Sequence, residues 1–225
     1  TSTRTTSSAA SVVYKRQEVK ATVIWLHGLG DSGHGFAPIV PELRLPESLA
    51  IRFVFPHAPE RPVTINGGMR MRAWYDIKSM DFDKRADLGG VKESAALVEQ
   101  LIEDEIAKGV PANRIILAGF SQGGVIALHL GTRYSKTLAG ILALSTYMCE
   151  PGLLAEEAHD ANKQTPIQFG HGTHDDVVPV AMGQAAYQTL KDAGYQAKWK
   201  TYAMQHNVCM DEINDISAWI QARLT

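Results

Sequence analysis

Apolar residues occur in two alternating patterns along this chain. Short apolar runs rich in branched residues are typical of buried strands, and they fall at residues 21–26, 51–55, 114–118, 139–144, 167–170 and 196–202. Between most of these runs, apolar residues recur at helical spacing, over residues 36–43, 87–109, 124–130, 180–193 and 213–224. Strands that alternate with helices predict an α/β fold, a mostly parallel sheet with helices on both faces.

The first 19 residues divide into two patterns. Residues 12–19 predict an edge strand, whereas residues 1–11, rich in Ser, Thr and Ala, predict a flexible N-terminal tail. The tail has no apolar segment of the kind found in secretory signals, so it is expected to be a processed end or the remnant of a targeting segment. A single domain is expected over residues 12–225, because this length suits one α/β core.

Two connections bear on function. Residues 145–166 are too few for a large lid domain between their flanking strands. By contrast, a long irregular stretch follows the second strand and runs to about Leu88, and ordered loops of that length are often functional. Within it, Met69, Met71, Trp74 and Tyr75 are suited to the wall of a substrate pocket. Covering the edge of the sheet is an equally good interpretation of these four residues.

Composition narrows the class of protein. Hydrophobic residues make up 45% and charged residues 20% of the 225 residues, which is typical of a globular protein. The formal net charge of −2 gives no basic field for nucleic acid. No apolar run approaches the roughly 18 residues of a membrane span. Two cysteines without motif spacing fit a reduced setting, so a cytoplasmic location is expected.

The sequence Gly119-Phe-Ser-Gln-Gly123 joins a predicted buried strand to a predicted helix. Gly-x-Ser-x-Gly in that context predicts a nucleophile elbow, a strained turn that exposes the serine. Glycines at 119 and 123 would remove Cβ atoms that otherwise collide. The N–H of Gln122, at the start of the helix, is free to donate to a developing oxyanion. An ordinary glycine-rich turn with an idle serine is the alternative.

A carboxylate and a histidine follow this serine in loops after later strands. Asp175 comes after the strand at 167–170, and His206 after the strand at 196–202. Because carboxyl ends of parallel strands share one sheet edge, Ser121, Asp175 and His206 are expected to meet. Ser…Asp…His is the chain order of α/β hydrolases. In such a set the histidine takes the proton of the serine, and the carboxylate orients the imidazole.

Several alternatives stay open around these residues. Asp176 rivals Asp175 by adjacency, and His171, His174 and the two aspartates could form a metal cluster instead. The glycine-rich loop after the first buried strand does not have the spacing of a phosphate-binding loop. It is better interpreted as bringing the backbone N–H of Leu29 beside the serine.

Five motifs in combination resemble a known family, the carboxylesterase and acyl-protein thioesterase (lysophospholipase-like) family of α/β hydrolases. They are Leu26-His-Gly-Leu-Gly-Asp-Ser-Gly-His34, Pro56-His-Ala-Pro59, Arg72-Ala-Trp-Tyr-Asp76, Gly119-Phe-Ser-Gln-Gly-Gly124 and His171-Gly-x-x-Asp-x-x-Val-Pro179. The loop from Asn66 to Asp76 looks most like the bacterial carboxylesterase branch.

The resemblance implies roles for individual residues. Ser121 would be the nucleophile, Asp175 rather than Asp176 the acid, and His206 the base. Leu29 and Gln122 would donate their backbone N–H groups to the oxyanion, with Trp74 beside the substrate channel. It also implies an α/β-hydrolase fold, no metal or cofactor, and a cytosolic enzyme that forms dimers in some members. Gln205-His206-Asn207 departs from the family's frequent Gly-His-Ser, and Gln205 adds bulk beside the base.

The expected function is that of a serine carboxylesterase that cleaves small esters of short-to-medium acyl chains through an acyl-enzyme. An acyl-protein thioesterase or lysophospholipase acting on long acyl chains is the nearest alternative. A binding module that kept the fold without turnover is the remote one. The expected partner is a small ester or thioester substrate, with neither nucleic acid nor a membrane span, and a homodimer is possible.

Overall fold

A seven-stranded sheet forms the centre of the fold. In the computed structural model, residues 18–225 are described together with the backbone of residues 10–13. The strand order is β1-β3-β2-β6-β7-β8-β9, and a separate antiparallel hairpin is formed by β4 and β5. The strands are β1 (Ala10–Val13), β2 (Ala21–Leu26), β3 (Ile51–Phe55), β4 (Glu60–Val63), β5 (Met69–Arg72), β6 (Ile115–Phe120), β7 (Gly140–Leu144), β8 (Ile167–Gly172) and β9 (Ala197–Tyr202).

Strands β2, β3 and β6 to β9 are parallel, and β1 pairs antiparallel with β3. The register aligns their carboxyl ends, with Leu26 opposite Gly119, Phe120 opposite Leu144, and Leu144 opposite Gly170. The loops that leave these strands therefore start side by side along one edge of the sheet, as the sequence predicts.

Helices cover both faces of the sheet. They are α1 (Gly33–Phe36), α2 (Ile39–Glu42), α3 (Leu88–Ala107), α4 (Gln122–Arg133), α5 (Leu154–Glu157), α6 (Val180–Asp192) and α7 (Met210–Leu224). Apolar side chains of α3, α4 and α6 pack on one face, and those of α2 and α7 on the other. Alternate residues of β2 explain this division, because Ile24 enters the first core and Val23 the second. The mostly parallel sheet with helices on both faces is thus confirmed.

Helix ends follow the sequence closely. Asp87 accepts a hydrogen bond from the N–H of Gly90 and caps α3, as its side chain favours. Gly109 and Gly194 follow α3 and α6 in the left-handed region, with φ of 99° and 83°. There a residue with a Cβ would be strained, so the two glycines end these helices where the sequence predicts.

Three segments differ from the sequence prediction. Most of the predicted tail, residues 1–9, lies outside the described residues, but Ala10 and Ser11 belong to β1, so a tail ending at Ser11 is too long. Of the predicted edge strand, Val12 and Val13 belong to β1, Glu18 and Val19 do not, and residues 14–17 lie outside the described residues. The helix predicted over residues 36–43 is replaced by two single turns, α1 (Gly33–Phe36) and α2 (Ile39–Glu42), because Pro38 and Pro41 interrupt regular hydrogen bonding.

The long segment before α3 is more ordered than predicted. It folds into the β4–β5 hairpin, with Glu60 opposite Arg72 and Val63 opposite Met69. These short strands are polar and contain Pro62, so they give no apolar run by which sequence analysis could find them. Within the described part of the chain, the structure contains no helix that is both long and apolar enough to cross a membrane.

Candidate active site

Ser121 stands in a strained turn between β6 and α4. Its backbone has φ 54° and ψ −118°, a conformation that residues with a Cβ rarely adopt. The neighbouring chain is so close that a Cβ on Gly119 would lie 2.2 Å from the carbonyl oxygen of Gly123. A Cβ on Gly123 would lie 2.3 Å from the carbonyl oxygen of Leu26. Both glycines are therefore sterically required, as the sequence predicts.

The three residues predicted to meet form one hydrogen-bonded chain. His206 Nε2 lies 3.0 Å from Ser121 Oγ, and His206 Nδ1 lies 2.7 Å from Asp175 Oδ2. The backbone N–H groups of Val177 and Val178 donate to Asp175 Oδ1 at 2.9 and 2.8 Å. Because these bonds fix the carboxylate, it can in turn fix the plane and tautomer of the imidazole.

The structure distinguishes the two adjacent aspartates. Asp175 is 8% exposed and points to His206, whereas Asp176 is exposed. His171 is buried, with Nε2 2.8 Å from the carbonyl oxygen of Val178 and 3.4 Å from Asp175 Oδ2. Burial lowers the pKa of His171, so the neutral ring supports the Asp175 turn. Among residues 18–225, no three His, Cys, Asp or Glu side chains are grouped where they could hold a metal ion.

The loop that carries His206 passes close to the end of β8. A Cβ on Gly172 would lie 2.3 Å from the carbonyl oxygen of Gln205, so this approach needs a glycine. The ring of Phe120 lies 4.8 Å from the imidazole of His206, centroid to centroid. Gln205 itself is exposed.

The loop after β2 is held by a buried histidine. His27 Nε2 accepts a hydrogen bond of 3.0 Å from the N–H of Ala58, and Nδ1 lies 2.7 Å from the carbonyl oxygen of Gly28. Burial lowers the pKa of His27, which keeps the ring neutral and able to do both. These two hydrogen bonds fix the backbone beside Leu29.

A cavity of about 230 Å³ opens above Ser121. It contains both predicted oxyanion donors, Leu29 and Gln122, together with His206. Gln122 is the first residue of α4, where backbone N–H groups have no acceptor within the helix. The remaining wall is formed by Gly28, Asp31, Tyr75, Ile77, Arg85, Phe120, Tyr147, Val177 and Val178.

Trp74 and Met71 do not line this cavity. Trp74 is 1% exposed and belongs to the core, where its indole N–H donates to the carbonyl oxygen of His27 at 2.9 Å. Met71 is half-buried, and its sulfur approaches Gly30. Contact of either residue with substrate stays a prediction, and the structure places Trp74 against the backbone of His27, just after β2.

Tyr75 lines the cavity, as its place in the long loop predicts, whereas Tyr147 and Arg85 escape sequence analysis. Tyr75 and Tyr147 join their hydroxyls in a hydrogen bond of 2.8 Å, and burial raises the pKa of both. Arg85 is buried beside them. In the sequence, Arg85 stands among Asp83, Lys84 and Asp87 and looks like part of a solvated loop, so no pattern singles it out.

The sheet, the strained serine turn and the hydrogen-bonded serine define the class, an α/β hydrolase of the serine-hydrolase type. The profile of the phospholipase/carboxylesterase family matches residues 7–224. The chain belongs to this family.

Individual relatives refine the comparison. The acyl-protein thioesterase 1 of Neurospora crassa is 42% identical over 213 residues, covering 91% of this chain and 87% of that protein. The crystal structure of Arabidopsis thaliana SOBER1 is 35% identical with a TM-score of 0.86, covering 92% of this chain and all of that one. Both alignments span nearly the whole chain.

These comparisons correct the predicted branch of the family. The Bacillus cereus carboxylesterase superposes with a TM-score of 0.78 over 98% of this chain and 96% of that one, but is only 15% identical, so it shares the fold alone. By contrast, the acyl-protein thioesterases 1 of the fungi Gibberella zeae and Neurospora crassa are 39% and 42% identical, and the bacterial branch suggested by residues 66–76 is wrong. That loop is too short to separate branches by resemblance.

Proposed function

We propose that this protein is a serine thioesterase that releases acyl chains from thioesters through an acyl-enzyme. The observation that carries the proposal is the hydrogen-bonded chain from Ser121 Oγ through His206 to Asp175, with distances of 3.0 and 2.7 Å. The preference for thioesters is supported by the similarity to acyl-protein thioesterase 1 of Neurospora crassa.

In the proposed reaction, Ser121 Oγ attacks the carbonyl carbon while His206 Nε2 takes the hydroxyl proton. The backbone N–H groups of Leu29 and Gln122 hold the oxyanion, each worth about 2.7–4 kcal/mol of barrier by analogy with other oxyanion holes. The tetrahedral intermediate collapses, the thiol leaves with the proton from His206, and the acyl group stays on Ser121. Water then loses a proton to His206, attacks the acyl-enzyme and releases the acid.

A carboxylesterase for short-to-medium acyl chains is the second candidate. The modest cavity of about 230 Å³ and the short α5 in place of a lid favour it. Both candidates use the same groups, because a thioester and an oxygen ester each pass through a tetrahedral intermediate to the same kind of acyl-enzyme. A lysophospholipase activity would require the same acyl-enzyme with a long chain.

The first test is fluorophosphonate labelling followed by intact mass measurement. We expect one adduct on the wild type and none on Ser121→Ala, since only an activated serine reacts rapidly. Absence of an adduct on folded wild-type protein would contradict the proposal and favour a binding module. After labelling, kcat/KM on acyl thioesters and matched oxygen esters of rising chain length separates thioesterase from carboxylesterase.

A further inference from the structure

Arg85 places a buried positive charge in the wall of the cavity above Ser121. The residue is only 7% exposed and lines the same cavity as His206. Its Nε and Nη1 have no hydrogen-bond partner, and in the described part of the chain no Asp or Glu oxygen lies within 4.0 Å of it. Such a group is unusual, because buried charges in proteins are generally paired.

Neighbouring side chains compensate this charge only in part. The guanidinium carbon of Arg85 lies 4.6 Å from the ring centroid of Phe82, a cation–π contact that offsets part of the cost of burial. The nearby hydroxyls of Tyr75 and Tyr147 are already bonded to each other. No described Asp or Glu therefore forms a direct ion pair with Arg85: Asp31, in the same wall, lies beyond 4.0 Å and its Oδ1 accepts from the N–H of Ser32.

We propose that Arg85 recognises an anionic oxygen group, such as a carboxylate, on the substrate. A guanidinium presents fixed, parallel N–H donors that match the two oxygens of a carboxylate. The group can belong to the acyl chain or to the departing thiol or alcohol, since the cavity holds both Arg85 and the reacting centre. Selective turnover rests on the proposed function, but selective binding does not.

The direct test measures binding without turnover in Ser121→Ala. Acyl-side probes are the monomethyl and dimethyl esters of C4 to C8 dicarboxylic acids. Leaving-group probes are S-acetyl-3-mercaptopropionate and its methyl ester. By calorimetry, we expect the charged member of one pair to bind at least tenfold more tightly than the neutral member. Equal binding in both pairs would overturn the proposal.

A second variant then tests the residue itself. In Ser121→Ala with Arg85→Met, the preference for the charged probe should fall at least tenfold, whereas the exposed Arg70→Met should keep it. Arg85→Lys keeps the positive charge but lacks the paired N–H donors of a guanidinium, so it should retain only part of the preference for the charged probe. If Arg85→Met weakens charged and neutral probes equally, the residue is structural and the proposal fails.

Turnover gives an independent readout. In wild-type protein, kcat/KM should be higher for the charged than for the neutral substrate of the pair that shows the binding preference. In Arg85→Met this ratio should fall close to one. Melting temperatures of all variants confirm folding. If wild-type protein is not labelled by a fluorophosphonate, the proposed hydrolase is refuted, but the binding test in Ser121→Ala is unaffected. Failure of the proposed function and failure of the Arg85 proposal are therefore distinguishable.

Discussion

The side chain of Gln122 clamps the backbone at Trp74. Gln122 Oε1 accepts a hydrogen bond of 2.7 Å from the N–H of Trp74. Its Nε2 donates at 2.7 Å to the carbonyl oxygen of the next residue, Tyr75. Since Gln122 also follows the serine, this one side chain couples the strained turn to the cavity wall.

Gln122→Leu should destabilise the fold. The substitution leaves the Trp74 N–H and the Tyr75 carbonyl buried without partners, at about 1–3 kcal/mol for each group. We expect the midpoint of urea unfolding to fall accordingly, with reduced kcat. The control is Gln188→Leu, which removes only an exposed hydrogen bond to Asp192 on α6. An equal loss of stability in both variants would show that the two buried hydrogen bonds of Gln122 contribute no more than the exposed one of Gln188.

Asp175→Asn should reduce kcat by about 10⁴, the loss seen when the equivalent carboxylate of a serine protease becomes an amide. The neutral amide can donate to His206 Nδ1 and so favour the wrong tautomer. Asp176→Asn, its exposed neighbour, should leave kcat within a few-fold. Steady-state hydrolysis of an activated ester measures both, and a larger loss in Asp176→Asn would reverse the assignment.

The sequence was sufficient to predict the sheet, the order of elements and the residues that meet at its edge. These rest on strong local physics: buried strands are apolar, and the turn at Ser121 needs glycines that a short motif reveals. Spacing alone left the metal alternative and the choice between Asp175 and Asp176 open, because it does not determine which side chain turns inward; only the family resemblance favoured Asp175 without a metal.

The walls of the cavity were not predictable in the same way. Arg85 and Tyr147 come from different loops, and tertiary packing alone brings them together. Trp74 looked like a pocket residue because it is large and lies in a long loop, yet it is buried behind His27. The sequence shows that the large apolar ring of Trp74 must be buried against something, but it does not show whether the ring packs on the substrate or in the core.

Gly123→Ala should be strongly destabilising. Its new Cβ would lie 2.3 Å from the carbonyl oxygen of Leu26, and neither backbone can move without shifting β2 or the serine turn. We expect loss of fluorophosphonate labelling and a thermal midpoint far below that of the wild type. Gly152→Ala is the matched control, since a Cβ there has no atom within 4 Å and φ is not positive. Retained labelling in Gly123→Ala would contradict the predicted clash.

Glu212, on the first turn of α7, should make stability depend on pH. The residue is 0% exposed, and neither carboxyl oxygen has a hydrogen-bond partner in the described part of the chain. Burial, and to a lesser degree the charge of Asp215, raises the pKa of Glu212 from 4.5 to about 8. Between these values the folded protein keeps a proton that the unfolded chain has released. Stability therefore falls as pH rises through this window and is constant, for this group, outside it.

Replacing Glu212 with Gln should remove that dependence. At about 1.36 kcal/mol per pH unit, the window from 4.5 to about 8 corresponds to a loss of several kcal/mol in the wild type. Urea unfolding at intervals from pH 5 to pH 8.5 should thus give a falling curve for the wild type and a flatter one for Glu212→Gln. Glu156→Gln, at an exposed position on α5, should parallel the wild type. Parallel curves for all three proteins would mean that Glu212 ionises as freely in the folded state as in the unfolded chain.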